Sequence, residues 1–382
     1  MTETKTQRWL ALDILRGLSI IFMLLNLNPG AWEHQFDWLV HAKWAGGHFI
    51  DMVAPVFLFC IGAVIPLSLS RRAATGAANA TMARHIVIRG LILVVFGLFL
   101  NAYPGFDFAH LRIPGVLQRI GVSYALVALF VLFTARRDDG FKVSVTALVA
   151  GFAFVVLSWF AVLYFVPVPG FGAPRFDPIG SWPAFFDRMV LTTNHMFIYW
   201  PVNGKIEFDP DGLLSTWPVC ANVLFGVLAG HAYMRGDKLT VLNLSVCGAL
   251  MMAGAVGLNS LCPIIKNIWT STFVLFTCGF SLVSLAVLTL LVDRFKVGVV
   301  FFPAKVYGSN PLVAYGLSFL IAPLLDLNWL EAPYISLRHG GDVIFSQWFG
   351  PNLASFCFGL VMLTVIFLPL YVLYRQRWFL KL

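Results

Sequence analysis

Charged side chains are scarce: Asp, Glu, Lys and Arg together make up 12% of 382 residues, against about 25% in a typical soluble domain. So little charge cannot coat a water-soluble globule, which excludes the ordinary soluble folds. The alternating stretches of a membrane β-barrel are missing too, because LILVVFGLFL (91–100) and LVMLTVIFLPLYVLY (360–374) are apolar on every side. No short-period repeat occurs, so solenoids drop out. The six cysteines offer no disulfide framework: Cys60, Cys220, Cys247, Cys278 and Cys357 fall inside apolar runs, and only Cys262 lies near a loop. There is no Walker loop, GxGxxG, HExxH or GxSxG elbow, and DPDG (209–212) lacks the rest of a calcium loop. A net charge of +8 would suggest nucleic acid if the basic residues shared one wet face. They alternate between loops instead, so no nucleic-acid partner is expected. The first apolar run has no small-residue cleavage site after it and is expected to be retained as a signal anchor.

Apolar side chains are abundant: 59% of the residues are hydrophobic and 15% aromatic, and the mean hydropathy is +0.83. A crossing helix takes about 20 apolar residues. Ten windows meet that need, near 9–28, 48–70, 85–102, 114–134, 143–167, 214–234, 239–258, 270–292, 306–326 and 348–374. The expected fold is an all-α bundle of about ten transmembrane helices, a single integral domain over 1–382 with the lipid bilayer as its partner.

Lys and Arg set the expected orientation, since cytoplasmic connections hold their excess. One set of segments carries Lys5, Arg8, Arg71, Arg72, Arg84, Arg136, Arg137, Lys142, Arg235, Lys238, Arg294, Lys296, Lys305, Arg375, Arg377 and Lys381. The opposite set carries only Lys43, Arg112, Arg175, Arg188, Lys205, Lys266 and Arg338, although it contains the longest loop. Sixteen against seven puts both termini in the cytoplasm. The long connections 29–47, 103–113, 168–213 and 327–347 then lie outside, where recognition or chemistry is expected.

Ionisable groups inside spans cost about 2.5–3.5 kcal/mol each and are candidates for function. Asp13 and Arg16 are three residues apart on one helical face, spaced for an internal ion pair or for holding a ligand. Gln118 and Arg119 lie about a turn inside a span, with Arg112 at its edge, where an arginine also snorkels. Asp51 opens the second span and needs a partner. His34, His41 and His48 recur every seven residues, but Pro29 and Gly46-Gly47 break the helix that would stack them, and no shell of Cys or carboxylates completes a metal site. No metal is expected. His41 beside Asp51 makes the better pair: a carboxylate that orients an imidazole raises its basicity, so it deprotonates an incoming amine or hydroxyl, although structural hydrogen bonds at the interface explain the same spacing. Asn26 and Asn28 in NLNPG (26–30), Asp209 in FDPDGLLST (208–216), Lys266, Asn267 and Trp269 in PIIKNIWTS (263–271), and Asn310 in YGSNPL (307–312) stand at span ends. Together with Trp44 they suit a sugar pocket, and equally helix caps and interface belts.

LDILRGLSIIFMLLNLNPG (12–30), LVHAKWAGGHFIDMVAPVFLFCIGAVIPLS (39–68), LRIPGVLQRIGVSYAL (111–126), DPDGLLSTWPVCANVLFG (209–226) and PIIKNIWTSTFVLFTCG (263–279) form an ordered pattern. It resembles the bacterial relatives of heparan-alpha-glucosaminide N-acetyltransferase, a transmembrane acyltransferase family. The resemblance runs from about Leu12 to the last span. It implies a multi-span enzyme of the bacterial inner membrane that forms a homodimer. Such an enzyme passes an acetyl group from cytoplasmic acetyl-CoA to the amino group of a glucosamine unit on the far side. The family's catalytic histidine falls on His41, and the asparagine after the first span falls on Asn28 or Asn26. The chain lacks the large N-terminal lumenal portion of the lysosomal relatives, which favours a small amino sugar or a cell-envelope saccharide as acceptor. In this scheme His41 is the base or an acetyl-accepting nucleophile, Asp51 its orienter and Asn28 a donor to the oxyanion. Arg16 and nearby loop arginines are candidates for the CoA phosphates. The competing expectation is a transporter or flippase for a sugar or lipid-linked saccharide, whose ionisable groups would couple ions.

Overall fold

A computed structural model of the chain describes residues 9–136, 140–236, 240–327 and 336–380. Lys5, Arg8, Arg137, Lys238 and Lys381, which contribute to the expected orientation, lie outside the described residues. The described residues form α-helices, short 3-10 turns and a few isolated bridges. In chain order the helices are α1 (Leu10–Leu27), α2 (Phe49–Ala74), α3 (Asn79–Ala102), α4 (Val116–Thr134), α5 (Val145–Phe165), α6 (Trp182–Leu191), α7 (Thr216–Met234), α8 (Val241–Gly257), α9 (Ser271–Thr289), α10 (Phe302–Ser309), α11 (Pro311–Leu325), α12 (Leu337–Ser346) and α13 (Pro351–Arg375). All ten expected windows are helical, and α6 and α12 are short additions within two of the long loops.

Seven of these helices are long and apolar enough to cross a membrane, or eight if α10 and α11, bent by 86°, count as one span. The count falls below ten because α8 is only 17 residues long, α7 is not among the seven, and the window at 306–326 is broken. The break has a local cause. Pro311 lacks an N–H and disfavours helical geometry in the residue before it, and Asn310 takes φ −135° and ψ 60°. A turn of π-helix, Leu290–Arg294, extends α9.

The chain divides into two compact units. Unit 1 holds Trp44–Gly46 and Leu58–Ala286, and unit 2 holds Gln7–Lys43, Gly47–Phe57 and Val287–Leu382. In unit 1, α2 and α7 touch backbone to backbone: a Cβ on Gly62 would strike the Val223 carbonyl, and one on Gly226 or Gly230 would strike those of Phe59 and Ala63. With lipid as apolar as leucine, such small-residue contacts drive helix association. Unit 2 repeats the device, with Gly17 of α1 against the Ala304 carbonyl of α10. Around it, Ile20, Leu24, Val306, Tyr307, Ala314, Phe358, Met362, Ile366 and Leu370 form a buried core.

Candidate functional site

Apart from a 3-10 turn at Asp37–Leu39, the segment between α1 and α2 is irregular, as Pro29 and the paired glycines require, and its part up to Lys43 and the start of α2 belong to unit 2. Its path is pinned from α1, where Asn26 Nδ2 donates to the Leu39 carbonyl (2.7 Å). The loop then delivers His41 to the first turn of α2. His41 Nδ1 lies 2.7 Å from Asp51 Oδ1, and Asp51 is fully buried while the imidazole is 23% exposed. Asp51 Oδ2 accepts the backbone N–H groups of Ala42 (3.1 Å) and His48 (2.9 Å). The carboxylate therefore sits at a helix N-terminus, where negative charge is favoured, and backbone bonds fix it from both sides of the loop. A carboxylate only accepts, so Nδ1 is the donor and Nε2 is left as the basic nitrogen of the ring. His48 Nδ1 instead meets the Val40 carbonyl at 2.6 Å, and His34 is exposed, so the three evenly spaced histidines do not share a face.

Asn28 lies beneath the same loop, fully buried. Its Nδ2 donates both hydrogens, to Leu24 O (2.8 Å) and Ser318 Oγ (2.7 Å), while Oδ1 has no partner. The atom Asn28 offers in this arrangement is thus an acceptor, whereas the expected oxyanion role requires a donor. Arg338 reaches the neighbouring Pro29 carbonyl (2.6 Å) and pairs with Asp326 (2.6 Å). Arg16 is engaged inside its own unit, donating to the Gly308 carbonyl (2.9 Å) and to Asp13 Oδ1 (3.1 Å), which makes it a clasp between α1 and α10. Asn310 is engaged likewise, receiving the Leu380 N–H (2.8 Å) and donating to the Trp378 carbonyl (3.0 Å).

Unit 1 gathers the remaining candidates where α4, α7 and α9 begin. Arg112 holds Asp209 through two parallel bonds (2.9 and 2.6 Å), adds Asp211 (3.1 Å), and lies over the Phe197 ring at 4.5 Å. Asp209, 2% exposed, also receives the N–H groups of Phe197 and Asp211. Burial opposes the charge on Arg112, yet Asp209 and Asp211 together hold the guanidinium protonated beyond its ordinary range. Arg119 donates to Ser215 Oγ (2.6 Å), pairs with Asp211 (3.4 Å) and covers the Trp269 ring at 5.0 Å. Trp269 adopts a positive φ of 51° and is nearly fully buried, with its indole N–H on Asn222 Oδ1 (2.9 Å). A left-handed tryptophan is a strained residue held by its surroundings. Gln118 donates to the Ile113 carbonyl (3.1 Å), and Trp44 donates to the Phe176 carbonyl (2.7 Å). Lys266 lies close enough for its charge to act on Asp211.

Reading the sequence missed Asp187, which α6 places in this cluster. Its Oδ1 receives the Leu213 N–H (3.0 Å), and Gly212 packs so closely on the carboxylate that a Cβ there would collide with Oδ2. Burial, reinforced by the Asp209 charge, pushes the Asp187 carboxyl up to about 7. Asp211, Ser215, Asn222, Ser318 and Arg338 were missed as well. Only Asp211 had a sequence signal, as the second carboxylate of DPDG. Among the described residues, no group of three or more His, Cys, Asp or Glu side chains is placed to hold a metal ion.

Long apolar helices, close glycine contacts and polar groups collected at helix ends define an all-α polytopic membrane protein. No protein-family model matches the chain. It is similar to heparan-alpha-glucosaminide N-acetyltransferase of Mus musculus, 25% identical over 336 residues that cover 76% of this chain and 50% of the relative. It is similar too to that of Homo sapiens, 25% identical over 326 residues covering 74% and 48%. The chain is a distant relative of that family and spans about half the length of the curated relatives it matches.

Proposed function

We propose that the chain is an acetyl-CoA-dependent N-acetyltransferase that acetylates the amino group of a glucosamine-type sugar, working across the membrane with acetyl-CoA on the cytoplasmic side. The observation that carries this reading is the His41–Asp51 pair, and the names of its relatives support the substrate class. An amine attacks a thioester only when unprotonated. His41 Nε2 takes a proton from the attacking nitrogen. The new C–N bond forms as the C–S bond breaks, and the departing CoA thiolate takes up a proton. Asp51 balances the imidazolium charge that forms in between. In the two-step variant, His41 Nε2 itself accepts the acetyl group and passes it to the sugar. The partnerless Oδ1 of Asn28 suits the N–H of the incoming amine.

The bend between α10 and α11 favours a sugar transporter, since broken spans mark binding sites in transporters. One experiment separates the readings: full-length protein in proteoliposomes, supplied with radiolabelled acetyl-CoA and glucosamine. Acetylated sugar, lost in His41→Ala, is the expected result. Unmodified glucosamine crossing the bilayer with no acetylated product would establish the transporter instead.

A further inference from the structure

The polar cluster of unit 1 contains buried atoms that nothing in the protein satisfies. Asp187 (fully buried) has a partnerless Oδ2, and Asn267 (1% exposed) has neither Nδ2 nor Oδ1 engaged. Arg119 (4% exposed) makes no hydrogen bond through Nε or Nη1, although Nη1 stands 3.4 Å from Asp211 in an ion pair. Each unmade buried bond costs about 1–3 kcal/mol, and native interiors hold only a few. The three residues belong to one neighbourhood. Arg119 is near enough to Asp187 for their charges to interact, and it covers Trp269, two residues after Asn267. The unsatisfied set is mixed: Arg119 only donates, Asp187 when ionised only accepts, and the Asn267 amide does both. Three carboxylates, Asp187, Asp209 and Asp211, already share the site, which argues against an anionic ligand such as phosphate. A ligand with hydroxyls that give and take hydrogen bonds, and one ammonium for the carboxylate, matches every open atom.

We propose that Asp187, Arg119 and Asn267 form a binding site within unit 1 for a hydroxylated amine the size of an amino sugar. Asp187 takes the ammonium, and Arg119 and Asn267 take the hydroxyls. The amino-sugar identity rests on the transferase reading, while the site itself rests on the unsatisfied atoms. The charges that act on Asp187 are those of Asp209 and Arg119; Asp211 and Arg112 act in turn on Arg119, and Lys266 on Asp211. Arg188, the neighbour of Asp187, is engaged by Glu207 (3.2 Å) and the Ile179 carbonyl (2.7 Å).

The test is equilibrium binding of radiolabelled glucosamine to the full-length protein in nanodiscs, with no acetyl-CoA present. Saturable binding is expected, with glucose and N-acetylglucosamine, which lack the cation, competing at least about tenfold less well, a gap of about 1.4 kcal/mol. Because the empty site holds a proton on Asp187 below about pH 7, glucosamine affinity should rise as the pH climbs from about 6 to about 7. Asp187→Asn should weaken glucosamine at least about tenfold and flatten that rise. Undiminished affinity in a folded Asp187→Asn protein, no preference for glucosamine over glucose, or no glucosamine binding at all would overturn the site. The selectivity and pH profile of the wild-type protein decide the matter even if the variant does not fold. Loss of acetyl transfer with glucosamine binding intact counts against the transferase reading alone.

Discussion

Asp51→Asn challenges the imidazole at the point where it is held. An asparagine amide presents an N–H toward Nδ1, which moves the ring proton to Nε2 and removes the lone pair that the proposed chemistry uses. Acetyl transfer to glucosamine should fall by about 10⁴-fold, the size of the same exchange in a Ser-His-Asp triad. Because Asp51 also receives the Ala42 and His48 N–H groups, thermal melting is measured alongside. A folded variant with near-normal acetyl transfer would remove Asp51 from the role of orienter. The second residue-scale prediction concerns Arg112→Ala, which strands the Asp209 carboxylate in the interior. Breaking such a pair costs about 3–5 kcal/mol, so denaturant titration of the purified protein should show a loss of that order, with Arg112→Lys between it and the wild type. The His41–Asp51 pair could be read in the sequence because a carboxylate at the mouth of an apolar run demands a partner. Asp187 could not be read there: it sits on a short loop helix far along the chain from Asp209, and no spacing rule joins them. Asn28 was legible only as a residue type, because its bond to Ser318, which with the local bond to Leu24 uses up its amide hydrogens, depends on a helix that lies distant in sequence.

Helix positions followed from apolar runs, since within a bilayer the backbone can satisfy itself only by coiling. The two short helices α6 and α12 escaped because they are brief and carry polar residues on one side, which reads as loop. The break at Asn310-Pro311 carried a visible signal, yet the run of apolar residues around it masked the signal in a long window. Glycine contacts between helices were invisible in a single sequence, because a glycine at a helix crossing and one facing open space look alike. That difference gives an element-scale prediction. Gly226→Leu forces α7 away from α2, where Cβ space is already filled by the Phe59 carbonyl, and overpacking of this kind costs about 1–3 kcal/mol or more. Gly254→Ala in α8 meets nothing within 4 Å and replaces a poor helix former, so it should gain about 0.5–1 kcal/mol. Melting of the two variants in the same detergent should shift in opposite directions. A shift of the same sign in both would mean that the α2–α7 contact does not limit stability.

For the whole molecule sidedness is decisive, because the proposed reaction needs acetyl-CoA and the acceptor to arrive from opposite compartments. The basic residues favour one orientation: if all ten apolar windows cross, sixteen Lys and Arg fall on the side of the termini and seven on the side of the long loops. If the C-terminus is cytoplasmic, green fluorescent protein fused after Leu382 should fluoresce, and alkaline phosphatase at the same point should be inactive. Phosphatase inserted in the loop 168–213 should be active, because that loop then faces away from the cytoplasm. The reverse pattern would put His41 and Asp187 on the cytoplasmic side, where acetyl-CoA meets them directly, and transfer of the acetyl group across the membrane would no longer be needed. A mixed pattern would mean that one of α7, α8 and the bent α10–α11 pair fails to cross. Of these, α7 and α8 lie outside the seven helices that length and apolarity mark as spans, and the bent pair makes an eighth if it counts as one.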